Sequence, residues 1–363
     1  MLNSGFFITL YDIDTLNLYL DRGIYSFLMP YNNGVIGPRS NHYPALADYS
    51  CGREGTHVFF FMKRKIIYGG QIEGSKHYGA YYLNGSFFPI GKKANAPLVW
   101  DESKRTIYDP TETPGIFLRQ VQDDRKERCQ PYLIRFSDRL SLRGQTISSD
   151  DLYFELGSYP YPLPSNAIQN MSFCTLTPGE VDILLRLMEK SRDNIFKGTK
   201  ETIQLEGDLI PFKPEYGISK VEEATTESHL ETSVLANPGL LPPILNPKED
   251  WTLCRQIPIS PFKPSQMDRA DITYYSDDKI RDGTIPNIII ELKYRGSGKA
   301  EVEQLVRYGK WLQKIAPDEL DRIALYLYAP SFKSNSESYI PREFKANIKL
   351  VSFGQKAKRL EDF

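Results

Sequence analysis

Cysteine is scarce in this chain and poorly placed for chemistry. Cys51, Cys129, Cys174 and Cys254 lie far apart and form no C-x-x-C pair, which argues against a structural zinc site and a disulfide framework. Histidine is equally scarce, and His42, His57, His77 and His229 lack the short spacing of zinc ligands. No apolar run approaches the ~20 residues of a membrane-spanning helix. The opening MLNSGFFITLYDIDTL has no basic segment before its apolar run, and acids interrupt that run, so it makes a poor signal peptide. The expected location is cytoplasmic, with no membrane partner. A basic excess is missing too. The formal net charge is −1, and from Val221 onward 20 basic residues face 21 acidic ones. Bulk charge therefore does not mark a nucleic-acid binder, and only a local basic patch is left open.

What is present is an ordinary globular composition, with 40% hydrophobic and 25% charged residues over 363 positions. That length accommodates two domains. Aromatics are plentiful, with 23 Tyr and 19 Phe. Residues 1–193 are rich in Tyr, Phe and Gly and carry short β-like runs. In GTHVFFFMKRKIIYGGQIEG, two apolar runs flank KRK, which reads as a hairpin turn. Farther on, Thr177 is placed to cap a helix with Pro178 at its first position and Val181, Leu184, Leu185 and Leu187 along one face. The expectation is an α+β, β-rich domain. Residues 194–220 are polar with two prolines and read as a linker, with room for one short strand.

Residues 221–363 read as helix, three strands, helix, two strands. Thr226 caps a helix that Asn237-Pro238-Gly239 ends. WTLCRQIPI, DRADITYY and NIIIELKY are strands, GSGKAEVEQLVRYGKWLQKI contains a helix, and DRIALYLYAP and NIKLVSFG are strands. The strand–helix–strand order implies a crossover and parallel pairing. In NIIIELKY, Glu291 and Lys293 share one face while Leu292 points to the other. If Asp271 on the preceding strand converges with Glu291, two carboxylates and the Leu292 carbonyl offer hard oxygen ligands for Mg2+ or Mn2+. Such an ion stabilises charge on a phosphate and acidifies water. Lys293 beside them can orient or deprotonate that water, or neutralise charge on phosphorus. Glu227, on the first helix, is a further acid within reach of a metal. As a bare triplet, Glu291-Leu292-Lys293 reads by default as a surface ion pair worth little.

These residues resemble a family. Asp271, nineteen intervening residues, then Glu291-Leu292-Lys293 within an α-β-β-β-α-β order is similar to the PD-(D/E)xK nuclease superfamily. Within it, ESHLETSVLANPGLL and IIIELKYRGSGKAEVEQLVRYGKWL resemble the NucS-type mismatch nucleases, and more distantly the antiphage Shedu-type nucleases. The helix carries a Q-x-x-x-Y pattern at Gln304 and Tyr308. The resemblance implies an α/β fold with a restriction-endonuclease-like αβββαβ core. It implies Asp271 and Glu291 as metal ligands, Lys293 as the catalytic lysine, Glu227 as the helix acid and Gln304 as an active-site residue. Asp268 is a neighbouring candidate for the role of Asp271, which is preferred because Asp268 sits in the loop before the strand. Arg307 and Tyr308 are candidates for the substrate backbone, and Arg295 and Lys299 for phosphates. GSGK at 296–299 lacks the spacing of a phosphate-binding loop and reads as a flexible βα loop.

The front region is similar in pattern to EVE and other PUA-like barrel domains, although no single motif carries the likeness. That implies recognition of a modified base or of RNA. Tyr78, Tyr81, Tyr82, Phe87, Phe88 and Trp100 are candidates for stacking on a base, and Lys63, Arg64 and Lys65 for phosphate contact. Aromatic core and a solvated turn are the plainer alternatives. The expected activity is a Mg2+-dependent DNA endonuclease acting as a homodimer in restriction or antiphage defence. Mismatch or branched-DNA repair, RNA cleavage by the same groups, and a non-catalytic nucleic-acid binder on a nuclease fold are the alternatives.

Overall fold

The computed structural model describes residues 2–10, 13–27, 29–30, 35–36, 43–74, 76, 79–83, 99–101, 106–108, 128–129, 132–137, 142–156, 173–197, 210–211, 221–246, 250–260, 268–276 and 283–353. The fold is mixed α/β, with one large sheet built by the first part of the chain and a five-stranded sheet built by the last. Among the described residues, no helix is long and apolar enough to cross a membrane.

The first sheet grows around the hairpin of His57–Met62 and Lys65–Ile72. Its turn is Lys63-Arg64, both left-handed at φ 48° and 64°. Two left-handed residues match the twist of paired strands, although Asn-Gly usually fills such a turn. Gly5–Thr9 pairs parallel with the first hairpin strand and antiparallel with Cys174–Leu176. On the other side the path continues through Tyr132–Ser137 and Tyr82–Leu83 to Ile210–Pro211, a short strand inside the stretch expected to be a linker. The helix Pro178–Lys190 begins as its sequence dictates. Thr177 Oγ1 accepts from the Glu180 N–H (3.3 Å), and Glu180 Oε2 accepts from the Thr177 N–H (2.8 Å).

The second sheet has the order Thr252–Ser260, Asp268–Tyr275, Ile288–Leu292, Ala324–Ala329, Ile348–Ser352. The first three strands pair antiparallel and the last three parallel. Helix Lys299–Ile315 makes the crossover between the parallel strands Ile288–Leu292 and Ala324–Ala329. Strand alternation splits the sheet's contacts. Ile272, Ile290, Leu292 and Tyr326 join the large core with Leu230 and Val234 of helix Glu227–Ala236. Ile289, Leu325 and Leu327 pack with Val302, Leu305 and Leu312 of helix Lys299–Ile315. Ile289 and Ile290 are fully buried, and side chains of that size contribute roughly 1.5–3 kcal/mol each. They anchor the strand in both layers.

The two sheets meet where Cys174–Leu176 runs beside Thr252–Ser260. Thr175 Oγ1 donates to the Arg255 carbonyl and accepts from its N–H, both at 2.9 Å. Helix Tyr43–Ser50 packs on helix Glu227–Ala236, with Tyr43 stacked on His229 at 4.2 Å between ring centres.

Candidate functional site

The registers of the second sheet set three polar residues in one row. Arg255 pairs with Ile272 and Ile257 with Ala270, which leaves Gln256 across from Asp271. Ile272 pairs with Ile290 as the last pair of that ladder, and Asp271 and Glu291 are the next residues on the two strands. Asp271 is 7% exposed and Glu291 2%. Like charges brought together on neighbouring strands destabilise a sheet, so this row needs compensation from its surroundings.

Much of that compensation comes from hydrogen-bond donors. Glu291 Oε1 accepts from Lys293 Nζ (3.0 Å) and from Gln304 Nε2 (2.8 Å). The Tyr308 hydroxyl lies 3.2 Å from Glu291 Oε2 and 2.9 Å from the Arg269 carbonyl, so its one proton serves either acceptor. Gln304 also donates to the Tyr308 oxygen at 2.6 Å. Gln304 and Tyr308 sit four residues apart, one turn along the same helix face. Asp271 Oδ2 accepts from the Leu292 N–H (2.7 Å), and its Oδ1 accepts from Gln256 Nε2 (2.9 Å). Lys293 Nζ also reaches Glu227 Oε2 at 3.1 Å, where Thr226 Oγ1 caps the helix by accepting from the His229 N–H. Five sequence candidates, Glu227, Glu291, Lys293, Gln304 and Tyr308, are thus in direct contact, and Asp271 joins them through the Leu292 backbone.

Burial pushes the Glu291 carboxyl up to about 8, and the neighbouring Asp271 adds to the rise. Burial also raises Asp271 itself, opposed by Lys293 and by the Leu292 and Gln256 hydrogen bonds. Glu227 is raised by burial and by Asp271. For Lys293, burial works against the ammonium, but Glu291, Asp271 and Glu227 outweigh it and hold the pKa above the ordinary lysine value.

The network continues away from the row. Gln256 Nε2 also donates to Glu231 Oε1 (3.1 Å), and Arg255 grips both Glu231 oxygens, at 3.0 and 2.8 Å. The same guanidinium pairs with Asp48 on helix Tyr43–Ser50. Arg255 thus joins Asp48 and Glu231, and Lys293 joins Glu227 and Glu291, with Gln256 linking Glu231 to Asp271. Among the described residues, no group of three or more His, Cys, Asp or Glu side chains is arranged to hold a metal ion. A cation at the row would take two carboxylates, a carbonyl and water, a set that suits Mg2+, which keeps several waters.

Other sequence candidates lie elsewhere. Asp268 is not in a loop: it opens the strand Asp268–Tyr275 and binds Arg307 at 2.9 Å, so both are committed to each other. Arg295 lies over the Tyr294 ring at 4.9 Å, and Lys299 sits 3.6 Å from Glu303. The 296–299 loop is pinned rather than flexible. The Ser297 N–H donates to the Ser331 carbonyl, the Lys333 N–H to the Ser297 carbonyl, and the Gly298 N–H to Glu301 Oε2. In the first sheet, Arg64 pairs with Asp150 and Lys65 with Asp193, while Lys63 is exposed in the turn. Tyr81 is 2% exposed and meets Tyr49 and Tyr132 edge-on, so it is core rather than a stacking platform. Tyr82 is partly buried, with the Arg135 guanidinium over its ring at 6.0 Å. Tyr78, Phe87 and Phe88 and the Trp100 side chain lie outside the described residues.

Gln256, Arg255, Glu231 and Asp48 were not singled out from the sequence. One signal was available: TLCRQIPIS sets Arg and Gln side by side in the middle of an apolar strand, and buried polar groups need partners.

Comparison with known proteins finds no matching family model and no matching curated protein. Two solved structures match. One is a repair endonuclease from Pyrococcus abyssi, 12% identical, covering 93% of this chain and 92% of that one, with a TM-score of 0.25. The other is an EndoMS–double-stranded DNA complex, 9% identical, covering 92% of this chain and 99% of that one, with a TM-score of 0.24. Overlap this loose carries no argument about activity.

Proposed function

We propose that this protein is a divalent-cation-dependent endonuclease that hydrolyses phosphodiester bonds in DNA at the Asp271–Glu291 row. One observation carries the reading: the buried carboxylates of Asp271 and Glu291 follow directly on the last ladder pair of their two strands, Ile272 and Ile290, with Lys293 on Glu291 and the half-exposed Glu227 beside them. Buried charge of one sign stands only if protons or a metal neutralise it. The donors are hard oxygens without thiolate or imidazole, which suits Mg2+ or Mn2+. Asp271, Glu291 and the Leu292 carbonyl would hold the ion, with Glu227 in reach through water.

When bound, such a cation polarises a phosphoryl oxygen and lowers the pKa of water. The chain's own groups do the rest. Gln304 and Tyr308 orient the two oxygens of Glu291. Lys293 is held between Glu291 and Glu227. From that place it would stabilise negative charge on the phosphate or orient the attacking water.

Within this reading, residues 221–363 form a restriction-endonuclease-like αβββαβ core. The helix, three strands, helix, strand order that carries Glu227, Asp271, Glu291 and Gln304 supports it. Residues 1–193 would recognise a feature of the DNA, such as a modified base, in restriction or antiphage defence. Cutting both strands at once would call for two copies of the chain.

The test is cleavage of supercoiled plasmid, and of an RNA substrate, with Mg2+, Mn2+ or EDTA by wild type, Lys293→Ala and Asp271→Ala. Cutting by wild type that needs the cation and is lost in both variants is the expected result. Equal cutting by all three proteins, or cutting in EDTA, overturns the assignment. Cutting of RNA alone transfers the site to that substrate.

A further inference from the structure

Gln256 stands out on backbone grounds. It has φ 52° in the middle of the strand Thr252–Ser260. A left-handed residue other than glycine is costly, and such residues gather at functional sites. The ladder runs on either side of it, through Arg255 and Ile257, and skips it.

The consequence is visible in the side chains. Successive residues of a regular strand point to opposite faces. Yet the side chains of Arg255 and Gln256 both reach Glu231 Oε1, at 3.0 and 3.1 Å. The left-handed step puts them on one side. It also leaves the Gln256 amide nitrogen 2.9 Å from Asp271 Oδ1, while the Leu292 N–H takes Oδ2 at 2.7 Å. Both oxygens of Asp271 are therefore fixed, one by the Glu291 strand and one by Gln256.

We infer that Gln256 is a positioning residue for Asp271: its amide, braced by Glu231 and through it by the Arg255–Asp48 pair, sets the angle at which the Asp271 carboxylate faces Glu291. The inference rests on the cation-site reading above. Gln256 does not touch the reacting phosphate in this role. It acts through Asp271, and its far anchor, Asp48, lies on the Tyr43–Ser50 helix of the front part of the chain. The seating of that helix is thereby linked to the orientation of a proposed metal ligand.

Gln256→Gly separates positioning from folding, because glycine adopts the left-handed backbone without strain but has no amide side chain. Mn2+ binding by isothermal titration calorimetry and thermal unfolding are measured on full-length wild type, Gln256→Gly and Gln256→Asn. Asparagine keeps an amide and tolerates left-handed backbone, but is one methylene short of Asp271. The expected result is a folded Gln256→Gly whose melting temperature falls by no more than the loss of one buried donor explains, with Mn2+ affinity weakened roughly tenfold or more. Gln256→Asn is expected to weaken Mn2+ as well, which covers the case in which the glycine variant folds poorly. Unchanged Mn2+ affinity in both variants overturns the positioning role while leaving the cation site standing. Absence of Mn2+ binding by wild type overturns the cation site itself.

Discussion

Glu291 should make the cation-free protein less stable as pH rises. Its carboxyl is 2% exposed, and burial together with Asp271 pushes its pKa from 4.5 in a free side chain to about 8. A raised carboxyl pKa means the folded state holds the proton more tightly than the unfolded state. No loss occurs below 4.5, loss accumulates through the window between the two values, and it levels off above about 8. One pKa unit is about 1.4 kcal/mol, so ionising this single group removes about 3 kcal/mol of stability between pH 5 and pH 8. Glu291→Gln keeps the shape and an acceptor for Lys293 but cannot ionise. The comparison is urea unfolding of wild type and Glu291→Gln in EDTA from pH 5 to pH 8. Glu180, which burial raises to about 7, slopes the same way in both proteins, so the difference between the two profiles reports the row. Wild type should fall by about 3 kcal/mol more than the variant across that range. Saturating Mn2+ should restore wild type by about 2.7 kcal/mol at a hundred times its Kd, and should leave Glu291→Gln unmoved. Parallel profiles in EDTA would refute the reasoning that the row carries an unneutralised charge.

Lys293→Ala should lower cleavage by about a hundredfold to a thousandfold, as loss of one charge-stabilising donor does, measured under single-turnover conditions with Mn2+ saturating. Tyr308→Phe removes a hydroxyl shared between Glu291 and the Arg269 carbonyl. It should cost about 1 kcal/mol in urea unfolding and weaken Mn2+ binding more than it weakens folding. Arg255→Ala takes the guanidinium from the buried carboxylates of Asp48 and Glu231. It should destabilise the protein by about 3–5 kcal/mol, read as a lower urea midpoint at pH 7 and a smaller loss at pH 5, where the acids can take protons.

Much of the local architecture was legible because its causes are local. Ile288–Leu292 reads as a strand from its isoleucines, and Lys299–Ile315 as a helix from the spacing of Val302, Leu305 and Leu312. Thr177 and Thr226 each cap the helix they precede. The parallel pairing of Ile288–Leu292 with Ala324–Ala329 also follows from the strand–helix–strand order, but most side-chain contacts between distant segments were not legible. Arg307 is held by Asp268, 39 residues away. The 296–299 loop is pinned by Ser331 and Lys333, and Arg255 reaches Asp48 across 207 positions. Tyr81 shows a different limit: an aromatic-rich run does not say which rings face inward. Gln256 combines both problems, because neither its left-handed backbone nor its place across from Asp271 follows from the residues around it.

The central claim is that Asp271 and Glu291 share one divalent cation. Crystals grown with Mn2+, with diffraction data collected for its anomalous signal, test it most directly. A peak within about 2–2.5 Å of oxygens from Asp271, Glu291 and the Leu292 carbonyl is the predicted result. Anomalous signal elsewhere with none at this row, at Mn2+ concentrations that support cleavage, would contradict the account.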